Sequence, residues 1–104
     1  MPQKNYENPL TAEPRFRLIH FRTEWNGACQ IVAMMIGNLI ETYAGRVEFD
    51  TADIDRDPAF AAAYGITEVP TVLLLKGGEV IEHAVGMISR QELVDKIERS
   101  LSGS

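Results

Sequence analysis

Apolar and polar positions follow two periods along this chain. From Arg15 to Arg22 they alternate, with Phe16, Leu18, His20 and Arg22 on one side and Arg17, Ile19 and Phe21 on the other. That alternation, rich in β-branched and aromatic residues, predicts a strand. The period then changes. Cys29, Val32, Ala33, Ile36, Leu39, Ile40 and Tyr43 recur at three- and four-residue steps, which is one face of a helix. Asn26 stands before it as an N-cap, and Gly45 follows where a C-terminal glycine belongs. Gly37, inside the helix, costs about 1 kcal/mol relative to alanine.

Val47 to Ile54 reads as a second strand, and an alanine-rich helix follows over about Pro58 to Tyr64, stopping at Gly65. Thr71 to Leu75 is a compact apolar run suited to a buried strand. Lys76-Gly77-Gly78-Glu79 turns it into a hairpin with Val80 to Val85. Ser89 with Glu92 makes a capping box for a last helix ending near Leu101, with Leu93, Val94, Ile97 and Leu101 inward. Residues 1–14 carry Pro2, Pro9 and Pro14 and read as an irregular arm, with a short edge strand near Tyr6; residues 15–104 form one domain. A βαβ unit followed by ββα predicts an α/β fold, a mixed central sheet with helices on both faces.

Composition narrows the function. The 104 residues are 45% hydrophobic and 24% charged, as for one globular domain. A net charge of -5 without a Lys/Arg cluster excludes a nucleic-acid surface. The N-terminus lacks a secretory h-region and the longest apolar stretch, Ile31 to Ile40, is too short for a membrane span. A cytoplasmic protein without membrane attachment is the expectation. A single cysteine excludes a disulfide framework, and one cysteine with two scattered histidines lacks metal-ligand spacing. No metal and no cofactor are expected. His83, in the hairpin, is expected to be exposed and without a role.

The chemistry concentrates at Trp25-Asn26-Gly27-Ala28-Cys29 and at Val69-Pro70-Thr71. The first resembles the thioredoxin active-site segment, Trp-Cys-Gly-Pro-Cys. Asp53-Ile54-Asp55, Tyr64-Gly65-Ile66, Val69-Pro70-Thr71, Lys76-x-Gly78 and Gly86 match further family landmarks in the same order, over roughly residues 16 to 101. The resemblance implies the thioredoxin fold, here with a shortened N-terminal strand and helix. It also implies a cis bond before Pro70, beside the active site. There the backbone before the proline pairs with an extended client, and Trp25, Gly27 and Gly86 complete a shallow groove. The expected partner is a protein or peptide client at that groove, the chain being a monomer or weak dimer.

The departures from the family pattern lie around the same site. Asn26 stands where the family has its attacking cysteine, so only the resolving position, Cys29, is filled. Ala28 replaces a proline, His20 a buried aspartate, Thr51 its lysine partner, Arg22 an aromatic residue and Met34 a helix-kinking proline. A carboxamide cannot attack a disulfide, and a lone thiol cannot close an intramolecular one. Cys29 therefore has two readings, a small core residue or a thiol for which His20 is the base. Ile31 and Met34, off the main inward stripe, are either core or an exposed patch beside Trp25. For the whole chain the readings are a client-binding or monothiol protein of the thiol–disulfide family, a non-catalytic binding module, and an ordinary dithiol reductase. The last requires a thiol from a partner.

Overall fold

A computed structural model describes residues 15–102. The expected arm and the edge strand near Tyr6 lie outside these residues. The elements, in chain order, are β1 (Phe16–Arg22), α1 (Gly27–Ile40), β2 (Val47–Asp53), α2 (Pro58–Ala63), β3 (Thr71–Lys76), β4 (Glu79–Val85) and α3 (Arg90–Ser102). The sheet order is β2-β1-β3-β4. β1 and β2 run parallel through the α1 crossover, whereas β3 is antiparallel to both β1 and β4. This is the mixed sheet that the βαβ–ββα order predicts.

Both sides of β1 are covered, which explains why apolar residues occupy both of its faces. Phe16 and Leu18 join Val72, Leu74, Val32, Ile36, Leu39, Leu93 and Ile97 in the larger core, under α1 and α3. Ile19 and Phe21 join Leu73, Leu75 and Ala61 in the smaller core, under α2. The Phe21 ring stacks on Phe60 at 5.7 Å between centroids, and Tyr64 closes the group edge-on to Phe60 at 5.3 Å. Arg17, the polar member of that strand face, is exposed at the sheet's far end and pairs with Asp50 on β2.

The caps show how local chemistry sets element ends. Ser89 Oγ accepts from Glu92 N–H at 3.0 Å while Glu92 Oε1 accepts from Ser89 N–H at 3.1 Å, the reciprocal box read from the sequence. Ser89→Ala is expected to lower stability by about 1 kcal/mol in urea unfolding. An unchanged midpoint would show that the box adds nothing. Asp57 caps α2 through Phe60 N–H at 3.2 Å, with Pro58 in the first turn.

Two sequence expectations for α1 need correction. Ile40 is exposed rather than part of the inward stripe. The helix also ends there, and Gly45 closes a further stretch of turn, its φ of 85° in the region that favours glycine. The cause is a tightening of the hydrogen bonding. Ala44 N–H reaches Glu41 O and Arg46 N–H reaches Tyr43 O, three-residue bonds that end the regular helix before Gly45, while Ile40 stays outside a stripe already filled by Cys29, Val32, Ile36 and Leu39. Tyr43 remains buried, its hydroxyl donating to Glu98 of α3 at 2.6 Å.

Candidate active-site region

The strand register brings the two motifs to one end of the sheet. Phe21 of β1 pairs with Thr71 of β3, and Thr71 pairs with Val85 of β4. The residues just beyond, Trp25 to Asn26 after β1, Val69-Pro70 before β3 and Gly86 after β4, therefore share that end. The Val69–Pro70 bond is cis, and Gly86 N–H donates to Pro70 O at 2.7 Å. Gly86 takes φ of 84°, which lets the chain leave β4 and lie back across the proline.

Asn26 caps α1. Its backbone is extended, and its Oδ1 accepts from Cys29 N–H at 3.0 Å. Gly27 opens the helix and is exposed, and Ala28 is half-buried. Cys29 is 0% exposed. One residue in the motif thus satisfies a helix donor, and the one thiol is enclosed behind it. Trp25, by contrast, is 87% exposed. Met34 at 72%, Met87 at 55% and Ile31 at 50% are exposed as well, so the sequence alternative of core burial for Ile31 and Met34 does not hold. Cys29, Val32 and Ile36 already fill the buried stripe of α1, which turns Ile31 and Met34 to solvent.

His20 lies two residues before the active end of β1, on the face that also carries Phe16 and Leu18 beneath α1 and α3. It is 2% exposed, and its register neighbours are Thr51 and Val72. Thr51 is exposed on the edge strand and so leaves the imidazole without a buried polar partner there. His20 Nε2 and Arg22 Nε are both buried and without a hydrogen-bond partner among the described residues. Burial, reinforced by the Arg22 charge, lowers the His20 pKa to about 4. The imidazole is neutral at pH 7. The sequence marks His20 and Arg22 as departures but carries no sign that two nitrogens are buried unpaired together. The alternation already sets them on one face; what it does not show is their burial there without a partner among the described residues.

His83 is exposed on β4, as expected. Among the described residues no group of three His, Cys, Asp or Glu side chains is placed to hold a metal ion. No helix among them is long and apolar enough to cross a membrane.

A parallel β1–α1–β2 unit, an antiparallel hairpin and a cis-proline at the same end of the sheet as the start of the first helix define a thioredoxin-fold protein. The thioredoxin family model matches residues 1–99, and the chain belongs to that family of thiol–disulfide redox proteins. It is 32% identical over 102 residues to a chloroplastic M-type thioredoxin of Zea mays, covering 98% of this chain and 61% of that protein's length. It is 29% identical over 98 residues to the thioredoxin of Chlorobaculum thiosulfatiphilum, covering 94% of this chain and 91% of the relative. Among solved structures, a point-mutant thioredoxin from Halobacterium salinarum NRC-1 superposes with a TM-score of 0.74 at 34% identity, over 80% of this chain and 72% of that one. The thioredoxin of Fasciola hepatica gives a TM-score of 0.77 at 28% identity, over 84% and 82%.

Proposed function

We propose that this protein binds extended protein or peptide clients at the end of the sheet where Trp25, Pro70 and Gly86 meet, without running a dithiol exchange cycle. The observation that carries this reading is a contrast in exposure. The one thiol, Cys29, is 0% exposed, while Trp25, ahead of the same helix, is 87% exposed and Met34, further along it, 72%. Exposed aromatic and methionine side chains adapt to varied partners, and backbone ahead of a proline offers unpaired groups to an added strand. Asn26, Gly27 and Ala28 then shape the surface and Val69 supplies its backbone edge, with Pro70 and Thr71 buried behind it, Pro70 O taken by Gly86 N–H and Thr71 paired within the sheet.

A Cys-alkylated insulin B chain, labelled with a fluorophore, tests this reading. Binding is expected to be the same for wild type and Cys29→Ser, and to weaken at least about tenfold for Trp25→Ala, as for an exposed aromatic anchor. Binding that disappears with Cys29→Ser would overturn it.

A second reading, monothiol chemistry at Cys29, has one observation in its favour. His20 Nε2 is unpartnered among the described residues and neutral at pH 7, so it is free to accept a proton, although a pKa of about 4 makes it a weak base for a thiol. This reading expects iodoacetamide to modify native Cys29 rapidly near neutral pH, with a profile that shifts in His20→Ala. The binding reading expects protection until unfolding.

A further inference from the structure

Beyond the cis-proline, the loop leading to it walls a second groove on the α2 side of the sheet. The cavity measures about 320 Å³, at the small end for ligand sites, and is lined chiefly by Ile66 and Glu68 of the loop, Leu73 of β3, and Val80, His83 and Val85 of β4. Its origin is in the layering. α2 has six residues and packs over β1, β2 and β3, so the same face of β4 is left open. Register places Val85 opposite Thr71, His83 opposite Leu73 and Val80 opposite Leu75, all toward the α2 side, and all three β4 side chains are exposed. On the other face, by contrast, Glu82 of β4 is paired with Lys96 and Arg99 of α3, and the Arg99 hydrogen bond above all lowers its pKa.

The charge at this groove is one-sided. Glu68 is exposed, and its carboxylate has no ion pair or hydrogen bond among the described residues; its backbone carbonyl is held by Thr71 Oγ1 at 2.7 Å. Among the described residues no lysine or arginine lines the cavity. The arginines at the sheet's far end line a different cavity, and Arg17 pairs there with Asp50 and Arg15 with Glu48. An apolar floor with one uncompensated carboxylate on its rim complements an apolar side chain next to a cation.

We propose that this groove continues the client site past Val69 and selects extended client segments in which an apolar residue is flanked by lysine or arginine. The inference rests on the client-binding reading above. Glu68 is the specificity-determining residue, and Val80, Val85 and Leu73 form the apolar floor. A client running along the backbone at Val69 meets Glu68 as its next neighbour. The cation faces that carboxylate while the apolar side chain enters the cavity. Long-range charge complementarity of this kind chiefly sets which partner is accepted.

The test uses two fluorescein-labelled synthetic decapeptides of the same alternating pattern, one Val-Lys and one Val-Glu, titrated with the full chain by anisotropy. Wild type is expected to bind the lysine peptide at least about fivefold more tightly than the glutamate peptide, the effect of an exposed charge pair. Glu68→Lys is expected to reverse that order, and Val85→Ser to weaken the lysine peptide. Trp25→Ala is expected to weaken both peptides without changing their ratio. Equal binding by wild type, or a ratio that Glu68→Lys leaves unchanged, would overturn the groove's role while client binding stands. If neither peptide binds wild type, the groove and the client-binding reading both fall.

Discussion

Asn26→Cys is expected to convert this chain from a protein without disulfide reductase turnover into one with it. The substitution would place a thiol at the N-cap of α1, where the unpaired N–H groups of the first turn and the helix dipole favour a thiolate. Cys29 would then lie three residues on, behind it, in the position to resolve a mixed disulfide. Insulin reduction with dithiothreitol is the measurement, and the variant should exceed the uncatalysed rate by at least about tenfold, since one route has no nucleophile and the other has an activated one. Wild type should follow the uncatalysed rate. The cap is lost in the exchange, because a thiol is a poor acceptor for the Cys29 N–H, and stability should fall by about 1 kcal/mol. A variant in which thiol counting shows the introduced cysteine bonded to Cys29, yet which has no turnover, would place the block elsewhere, at His20 or Ala28. Turnover by wild type would contradict the binding reading.

The second large effect is on acid stability. The His20 pKa is about 4 in the folded chain and about 6.5 when unfolded. The unfolded state therefore takes up the proton first. The His20 contribution is fully present above pH 6.5, is lost as pH falls between 6.5 and 4, and levels off below. A difference of this size is worth about 3 kcal/mol at about 1.4 kcal/mol per pH unit. That is a large fraction of a domain stability of about 5–15 kcal/mol. Glu82, held below the ordinary carboxylate value chiefly by its hydrogen bond from Arg99, also loses stabilisation in acid, but over a lower window. His20→Gln isolates the imidazole. Urea unfolding from pH 7 to pH 4 should show wild type losing about 3 kcal/mol more than this variant. Parallel curves would mean that His20 takes up its proton in the fold as easily as outside it.

The local elements were legible because their causes are local. Alternation over residues 15–22, the 3.6 period from Cys29, the Gly77-Gly78 turn and the Ser89–Glu92 box each involve residues that touch along a few turns of chain. The end of α1 was less legible. Gly45 predicts a later stop, but tighter turns after Ile40 end the helix earlier, and that choice depends on bringing Val47 back into the sheet beside Phe16. The missing attacking cysteine was also plain in the sequence, as a matter of which atoms are present.

Burial was another matter, since it depends on which layers meet. By spacing alone Ile31 and Met34 were as suited to a core as to a surface. α1 packs by a stripe already filled with Cys29, Val32, Ile36 and Leu39, and that leaves them outside. The same packing encloses Cys29. Alternation sets His20 and Arg22 on one face, but the burial of their nitrogens without partners among the described residues follows from the layers packed there, and the Glu68 groove from a helix too short to cover β4. The sequence by itself determined the fold, the cap at Asn26 and the presence of a single thiol, because these rest on residue identity and near-neighbour geometry. Only the tertiary structure decided that the thiol is closed to solvent and the surface around it open, because exposure is set by contacts between distant segments.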